Sequence, residues 1–311
     1  MRIASCNGDT HFYSSSGGNA GLACVVAAKE LGRPATVVVP LSTKPMMIAK
    51  LKAAGAHEVI QHGASWRDAD TYLRDVILKK DKNGIYVPPF DHPDIWTGHA
   101  TIVEEVHRQL SGYGSTATTN GFNPPKPDAI ICSVGGGGLF AGVMQGLEYV
   151  GWTDVPVIAL ETKGADSLNA SLKAGELVTL PGITSLATSL GATRVAEQAF
   201  KLGQRSNVRS VVLTDAEAAM GCWRLADDLR ILVELACGVN VALGYQGRER
   251  LEEILSKQLN EDSKVVIVLC GGSNVTVEML AEWRKKFGEI ENGLPKSLEV
   301  PSSLQNGSNN A

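Results

Sequence analysis

The feature that most constrains the fold is a run of four glycines, at positions 135–138, directly after the apolar segment 129–132. Each glycine weakens regular structure by about 0.5 to 1 kcal/mol relative to alanine. A run of four is therefore expected where backbone N–H groups must wrap an anion, and a flexible turn is the alternative. The run lacks the Gly-x-Gly-x-x-Gly spacing and any Gly-Lys-Ser/Thr ending. Neither a dinucleotide fold nor a nucleoside-triphosphate loop is well supported.

Two other glycine turns have the same context. Ser-Ser-Gly-Gly-Asn-Ala-Gly occupies positions 15–21, and Cys-Gly-Gly-Ser-Asn occupies positions 270–274. Each follows a predicted strand and opens a predicted helix, which places N–H groups and a positive helix end at the edge of a sheet where α/β proteins bind anions. For the first turn the alternative is an ordinary Ser/Asn helix cap. For Cys270 it is a small core residue.

Short β-branched runs alternate with Ala- and Lys-bearing segments along the chain, which predicts strand-helix-strand units. The predicted fold is α/β, with two open, mostly parallel twisted sheets covered by helices on both faces. The first predicted strand ends near Tyr13. The other predicted strands cover residues 35–39, 58–61, 128–132, 155–160, 210–213 and 264–269. The predicted helices cover residues 19–31, 44–54, 66–80, 102–110, 139–150, 215–228, 240–258 and 275–287.

The predicted domains are a small α/β domain over residues 1–98 and a large one over residues 99–300, joined near residues 93–99. A Ser-, Thr-, Gly-, Asn- and Pro-rich segment at 111–127 is predicted to be a long surface loop. The polar tail at 301–311 is predicted to be disordered.

Composition excludes several classes of partner. The 29 basic and 33 acidic residues leave a net charge of −4, without the basic footprint that nucleic acid or an anionic membrane demands. The six cysteines form no Cys-x-x-Cys pair, so disulfides and structural zinc are poor interpretations. No signal peptide or membrane-spanning run is recognised, and a cytoplasmic location is expected.

Together the three turns resemble those of the fold-type II pyridoxal-phosphate enzymes, in the serine/threonine dehydratase family. The resemblance extends to segments 87–93, 95–100, 161–165, 183–187 and 231–234. It implies a homodimeric enzyme whose large domain binds pyridoxal 5′-phosphate. The implied reaction removes water and then ammonia from L-serine, or from L-threonine, giving pyruvate or 2-oxobutanoate.

The resemblance also implies roles for individual residues. Asn19 would hydrogen-bond the ring hydroxyl of the cofactor, and Cys270 would face the ring nitrogen. The substrate carboxylate would be held by Ser16, Gly17 and Gly18. The cofactor phosphate would be held by Gly135, Gly136, Gly137, Gly138 and Leu139. A monovalent cation such as potassium would be bound by carbonyl oxygens of Glu161, Ala165 and Ser167.

One element of the family pattern has no match. The Schiff-base lysine of these enzymes lies well upstream of the residue matching Asn19, yet the eighteen residues before Asn19 contain no lysine, and the first is Lys29. Because that lysine both anchors the cofactor and moves a proton, its loss should abolish or nearly abolish turnover. An incomplete N-terminus is the leading interpretation. The alternatives are a catalytically inactive pyridoxal-phosphate-binding relative and rescue by Lys44 or Lys163.

Overall fold

The first of two parallel sheets is built from the N-terminal part of the chain. The computed structural model of the protein describes residues 9–112 and 125–293, with side chains to residue 290. In this sheet the strand order is β3-β2-β1-β4, and every pairing is parallel. The strands are β1 His11–Ser14, β2 Ala35–Val39, β3 Glu58–Gln61 and β4 Gly84–Tyr86.

The second sheet has the order β7-β6-β5-β8 and is also parallel throughout. Its strands are β5 Ala129–Ser133, β6 Val157–Thr162, β7 Val208–Leu213 and β8 Val265–Ile267. Every residue of β2, β5 and β6 is buried, because helices cover both faces of a parallel sheet. The predicted fold class is confirmed.

The helices surround these sheets and begin at the carboxyl ends of the strands. They are α1 Asn19–Glu30, α2 Pro45–Ala54, α3 Trp66–Tyr72, α4 Pro93–Leu110, α5 Gly138–Tyr149, α6 Ser167–Ala174, α7 Glu197–Gly203, α8 Asp215–Leu229, α9 Leu235–Tyr245, α10 Arg248–Leu255 and α11 Val277–Phe287. None of the helices in the part of the chain that the structure describes is long and apolar enough to cross a membrane.

The structure corrects several predicted boundaries. The helix predicted at 102–110 begins at Pro93, because the His92 side chain accepts a hydrogen bond from the Asp94 N–H and proline is favoured in a first turn. The helix predicted at 240–258 is two helices, interrupted at Gly247, whose φ is +95°. The short elements β4, α6 and α7 were not predicted.

Other predictions are untested. The predicted loop at 111–127 falls mostly, and the predicted disordered tail entirely, outside the described residues. The domain boundary between residues 98 and 99 stays a prediction, and it falls within α4.

Close packing between α4 and α5 holds the start of α5 in place. A side chain at Gly142 would lie 2.3 Å from His99 Cβ, and one at Gly146 would lie 2.6 Å from the carbonyl oxygen of Ala100. The backbones therefore approach more closely than any other residue type would allow. This contact fixes α5, and with it the four-glycine turn, against α4.

A matched pair of glycine substitutions tests this packing. Alanine normally stabilises a helix interior by about 0.5 to 1 kcal/mol relative to glycine. We expect that gain for Gly98→Ala, where nothing lies within 4 Å of the added carbon. Gly142→Ala should instead lower the free energy of unfolding by about 1 to 3 kcal/mol through overpacking. Urea unfolding of both variants measures the difference, and a stabilised Gly142→Ala would contradict the close approach.

Candidate active site

The three glycine turns line one cavity of about 1790 Å³. They follow β1, β5 and β8, so two belong to the second sheet and one to the first. Loop residues 188–194 and the segment 85–90 complete part of the wall. The structure thus brings together all the residues predicted to bind cofactor or substrate.

The four-glycine turn exposes a row of unpaired backbone donors. Helix α5 begins at Gly138, and its N-cap residue, Gly137, has a φ of +94° and makes no side-chain capping bond. Among the described residues, no protein acceptor receives a backbone hydrogen bond from the N–H groups of positions 135–140. The carbonyl oxygen of Gly136 meanwhile accepts from the Ala196 N–H at 3.0 Å. Unpaired N–H groups at a helix start form an anion site.

Packing leaves no room for side chains in this turn. An added carbon would lie 2.2 Å from the Phe90 ring at Gly136 and 2.3 Å from Ala199 Cβ at Gly137. At Gly138 it would lie 2.6 Å from the carbonyl oxygen of Phe90. The turn is therefore packed on its outer side while its N–H groups remain free, which argues against the flexible-turn alternative.

Asn19 connects the first turn to the third. Its Nδ2 donates to Glu234 Oε1 at 2.8 Å, and its Oδ1 accepts from Ser273 N at 2.9 Å and from Ser273 Oγ at 2.7 Å. Helix α1 begins at Asn19, its N-cap is Gly18, and no side chain caps it. The ordinary Ser/Asn helix cap is therefore not what the structure shows. The Asn19 side chain instead joins elements of both sheets.

The buried carboxylate of Asp70 holds the first turn through a hydrogen bond to Ser15. Asp70 Oδ1 accepts from the Ser15 hydroxyl at 2.8 Å and from the Tyr86 hydroxyl at 2.6 Å. Burial, with the Asp70 hydrogen bond, raises the pKa of Tyr86, which keeps its hydroxyl a donor at neutral pH. The neighbouring Ser16 Oγ accepts from the Gly18 N–H at 3.3 Å. These bonds hold the residues predicted to bind the substrate carboxylate.

Cys270 lies in the cavity wall with an accessible side chain. Removal of water by the surrounding protein raises the pKa of its thiol to about 11, and Cys237 and Glu234 add to this effect. The thiol is therefore neutral at pH 7. A neutral group is what the resemblance implies opposite the ring nitrogen. The other described cysteines are buried, free thiols.

The three residues predicted to bind a cation lie together, outside the cavity lining. The Glu161 carboxylate is buried and accepts from the N–H groups of Leu168 at 2.8 Å and Asn169 at 2.7 Å. Burial raises the pKa of Glu161 to about 8, although the two N–H groups act in the opposite direction. Ala165 forms an isolated antiparallel β-bridge with Thr162. The buried Ser167 Oγ has no hydrogen-bond partner among the described residues.

The two lysines considered as replacements are placed differently. Lys44 lines the cavity, and its Nζ donates to Asn274 Oδ1 at 3.4 Å. Lys163 is exposed and lies outside the cavity lining.

Four residues of the site were not assigned a role from the sequence: Asp70, Tyr86, Glu234 and Ser273. Glu234 and Ser273 lie in segments recognised as similar to the family, so position in those segments was the available signal. Asp70 and Tyr86 had no such signal, because an isolated acid and an isolated tyrosine resemble surface or core residues.

Comparison with known proteins agrees with this geometry. Residues 3–271 match the family model described as "Pyridoxal-phosphate dependent enzyme", and the chain belongs to that family. A Saccharomyces cerevisiae L-serine dehydratase is 45% identical over 277 residues, covering 88% of this chain and 79% of the relative. The Bos taurus L-serine dehydratase/L-threonine deaminase is 43% identical over 282 residues, covering 90% and 81%. The predicted resemblance is confirmed.

Solved structures give the same result. The fungal L-serine ammonia-lyase of Rhizomucor miehei superposes with a TM-score of 0.78 at 37% identity, covering 90% of this chain and 82% of that one. A processed threonine deaminase from Solanum lycopersicum superposes with a TM-score of 0.75 at 25% identity, covering 90% and 70%.

The raised pKa of Cys270 predicts slow alkylation despite its accessibility. Because the thiolate is the nucleophile, a pKa near 11 rather than 9 should slow reaction with iodoacetamide at pH 8 roughly a hundredfold. Mass spectrometry of the Cys270 peptide measures the rate, with the urea-unfolded chain as the control. Equal rates in the folded and unfolded chains would contradict the raised pKa.

Proposed function

We propose that this protein is a pyridoxal-phosphate-dependent ammonia-lyase that acts on L-serine and, more weakly, on L-threonine. The products are pyruvate or 2-oxobutanoate, with ammonia. The observation that carries the proposal is the convergence of three glycine turns on one cavity, whose lining contains positions 135–139, with their free N–H groups, together with Asn19 and Cys270. The names of the relatives supply the substrates.

The residues present fit the phosphate and ring of the cofactor. The N–H groups from Gly135 to Leu139, together with the positive end of α5, would hold a phosphate dianion. Asn19 retains one Nδ2 hydrogen after its bond to Glu234 and would donate it to the ring hydroxyl. The neutral Cys270 thiol would face the ring nitrogen without forcing it to carry a proton.

The turn before α1 fits an amino-acid carboxylate. The positive end of α1 favours a negative group there. An added carbon at Gly21 would lie 1.8 Å from the Ser16 carbonyl oxygen, so the turn keeps its shape only with glycine at position 21. Ser16, Gly17 and Gly18 would hold the carboxylate and thereby orient the α-carbon toward the cavity.

When bound, pyridoxal phosphate supplies an electron-withdrawing ring that acidifies the α-hydrogen of an attached amino acid. The protein's part is to fix that geometry and to set the charge around the ring. The neutral Cys270 thiol would leave the ring nitrogen unprotonated and the ring a weaker electron sink, which would suit elimination of a group from the carbon next to the α-carbon.

The second candidate is cofactor binding without turnover. It is favoured by the lysine arrangement: among the described residues lining the cavity, Lys44 is the single lysine, and its Nζ contacts Asn274. Both candidates require the same cavity, and they differ in whether a lysine reaches the substrate.

One experiment separates the two candidates. The purified chain is titrated with pyridoxal 5′-phosphate and then given L-serine, with pyruvate followed by a lactate dehydrogenase assay. Borohydride treatment and peptide mapping identify any modified lysine. Pyruvate release supports the lyase, binding without release supports the second candidate, and no binding contradicts both.

A matched pair of variants shows whether binding occurs at the predicted turn. Gly136→Ala should weaken pyridoxal-phosphate affinity roughly tenfold or more, because the Phe90 clash displaces the N–H groups. Gly182→Ala, with nothing within 4 Å of the added carbon, should leave the affinity unchanged.

We also propose that backbone oxygens of Glu161, Ala165 and Ser167 hold a monovalent cation, with potassium as the candidate. The unpartnered Ser167 Oγ supports an oxygen-rich site. The described residues contain no cluster of three His, Cys, Asp or Glu side chains, so such a cation would rely on neutral oxygens.

Thermal unfolding tests the cation site. A ligand that binds only the folded state raises the melting temperature, so potassium chloride should raise it above the value in tetramethylammonium chloride of equal ionic strength. Identical melting temperatures in the two salts would contradict the site.

A cytoplasmic homodimer completes the proposal. It is supported by the family resemblance.

A further inference from the structure

Asn19 is held in one orientation by partners that cannot be exchanged. Ser273 N is only a donor, so the Asn19 atom facing it at 2.9 Å must be the amide oxygen. A carboxylate is only an acceptor, so the atom facing Glu234 Oε1 at 2.8 Å must be Nδ2. Oδ1 accepts two hydrogen bonds and Nδ2 donates one, so the Asn19 side chain has one N–H left to donate to a ligand.

Glu234 is itself held in place by hydrogen bonds of both its side chain and its backbone. Its side chain is buried, and its second oxygen, Oε2, accepts from the Asn274 N–H at 2.9 Å. Its backbone N–H donates to the Gly271 carbonyl at 2.9 Å, and its carbonyl accepts from the first turn of α9. An added carbon at Gly272 would lie 2.2 Å from Glu234 Cδ, so the glycine makes room for the carboxylate.

No ion pair involving Glu234 occurs in the described part of the chain. A buried carboxylate without a cation is costly, and here amide donors and the positive end of α9 offset the cost. A carboxylate placed only for packing would be replaceable by an apolar side chain of similar volume. This one instead divides its two oxygens between the first and third turns.

We propose that Glu234 is a positioning residue that fixes the orientation of the Asn19 amide, so that Asn19 presents an N–H, and not a carbonyl oxygen, to the ring hydroxyl of the cofactor. This inference rests on the proposed function, because it takes Asn19 as the partner of that hydroxyl. Glu234 acts through Asn19 and does not itself touch the reacting atoms. Its effect is specificity for a ring that carries a hydroxyl.

The test compares two ligands on the full chain. Pyridoxamine 5′-phosphate carries the ring hydroxyl and has no aldehyde to react with lysines, and its 3-deoxy analogue lacks the hydroxyl. Calorimetric titration gives the ratio of the two affinities. We expect the unaltered chain to favour pyridoxamine 5′-phosphate by about tenfold, the worth of one good hydrogen bond.

The ratio should fall toward one in Glu234→Gln, because a glutamine can accept from Asn19 or from Asn274 N but not from both. Asn19→Ala should show the same loss, and the double variant should lose no more than either single variant. Glu278→Gln, at an exposed site in the first turn of α11, is the matched control and should keep the ratio.

The outcomes separate the two levels of the proposal. If Glu234→Gln lowers both affinities by the same factor, Glu234 has a structural role only and the inference is wrong. If the unaltered chain binds both ligands equally, Asn19 does not bind the hydroxyl. If it binds neither, the proposed function fails, and the inference with it.

A second variant applies if Glu234→Gln does not fold. Ser273→Ala removes one of the two donors to Asn19 Oδ1 and keeps the backbone donor. We expect it to reduce the ratio by about threefold, and an unchanged ratio counts against the fixed orientation.

Discussion

The hydrogen bonds of Asn19 are the contacts on which the site depends. They join the start of α1, which follows β1 of the first sheet, to Glu234 at the N-cap of α9 and to Ser273, in the turn after β8 of the second sheet. Without them the first glycine turn would be an isolated anion site at the edge of one sheet. With them, the first and third turns lie side by side in the lining of the same cavity.

Glycine serves two purposes in this cavity. At positions 136–138 the added carbons would meet Phe90 or Ala199, so the absence of side chains allows the turn to pack against its neighbours. The same absence leaves the N–H groups open toward the cavity. At Gly272 the space is taken by the Glu234 carboxylate. At positions 136–138 close packing on one side leaves polar groups exposed on the other, whereas at Gly272 it makes room for a buried carboxylate.

Much of this arrangement was predictable because it is local. The strands β2, β5 and β6 are short apolar runs, and each glycine turn follows a strand directly, so their positions at the carboxyl edges of parallel sheets follow from chain order. Boundaries were less predictable. The joint predicted near residues 93–99 falls within α4, which begins at Pro93 and runs through Gly98, because packing against α5 outweighs the weak helix preference of glycine. The interruption at Gly247 was not predicted, and there the backbone conformation of the glycine itself, with a φ of +95°, separates α9 from α10.

The sequence by itself determined the class of fold, the three glycine turns and the family, since each depends on residue types close together in the chain. Only the tertiary structure decided which side chains complete the site. Asn19 and Glu234 are 215 positions apart, and Ser15 and Asp70 are 55 apart. Hydrogen bonds between such distant residues depend on how two sheets and their helices pack, and no local pattern in the chain records that packing.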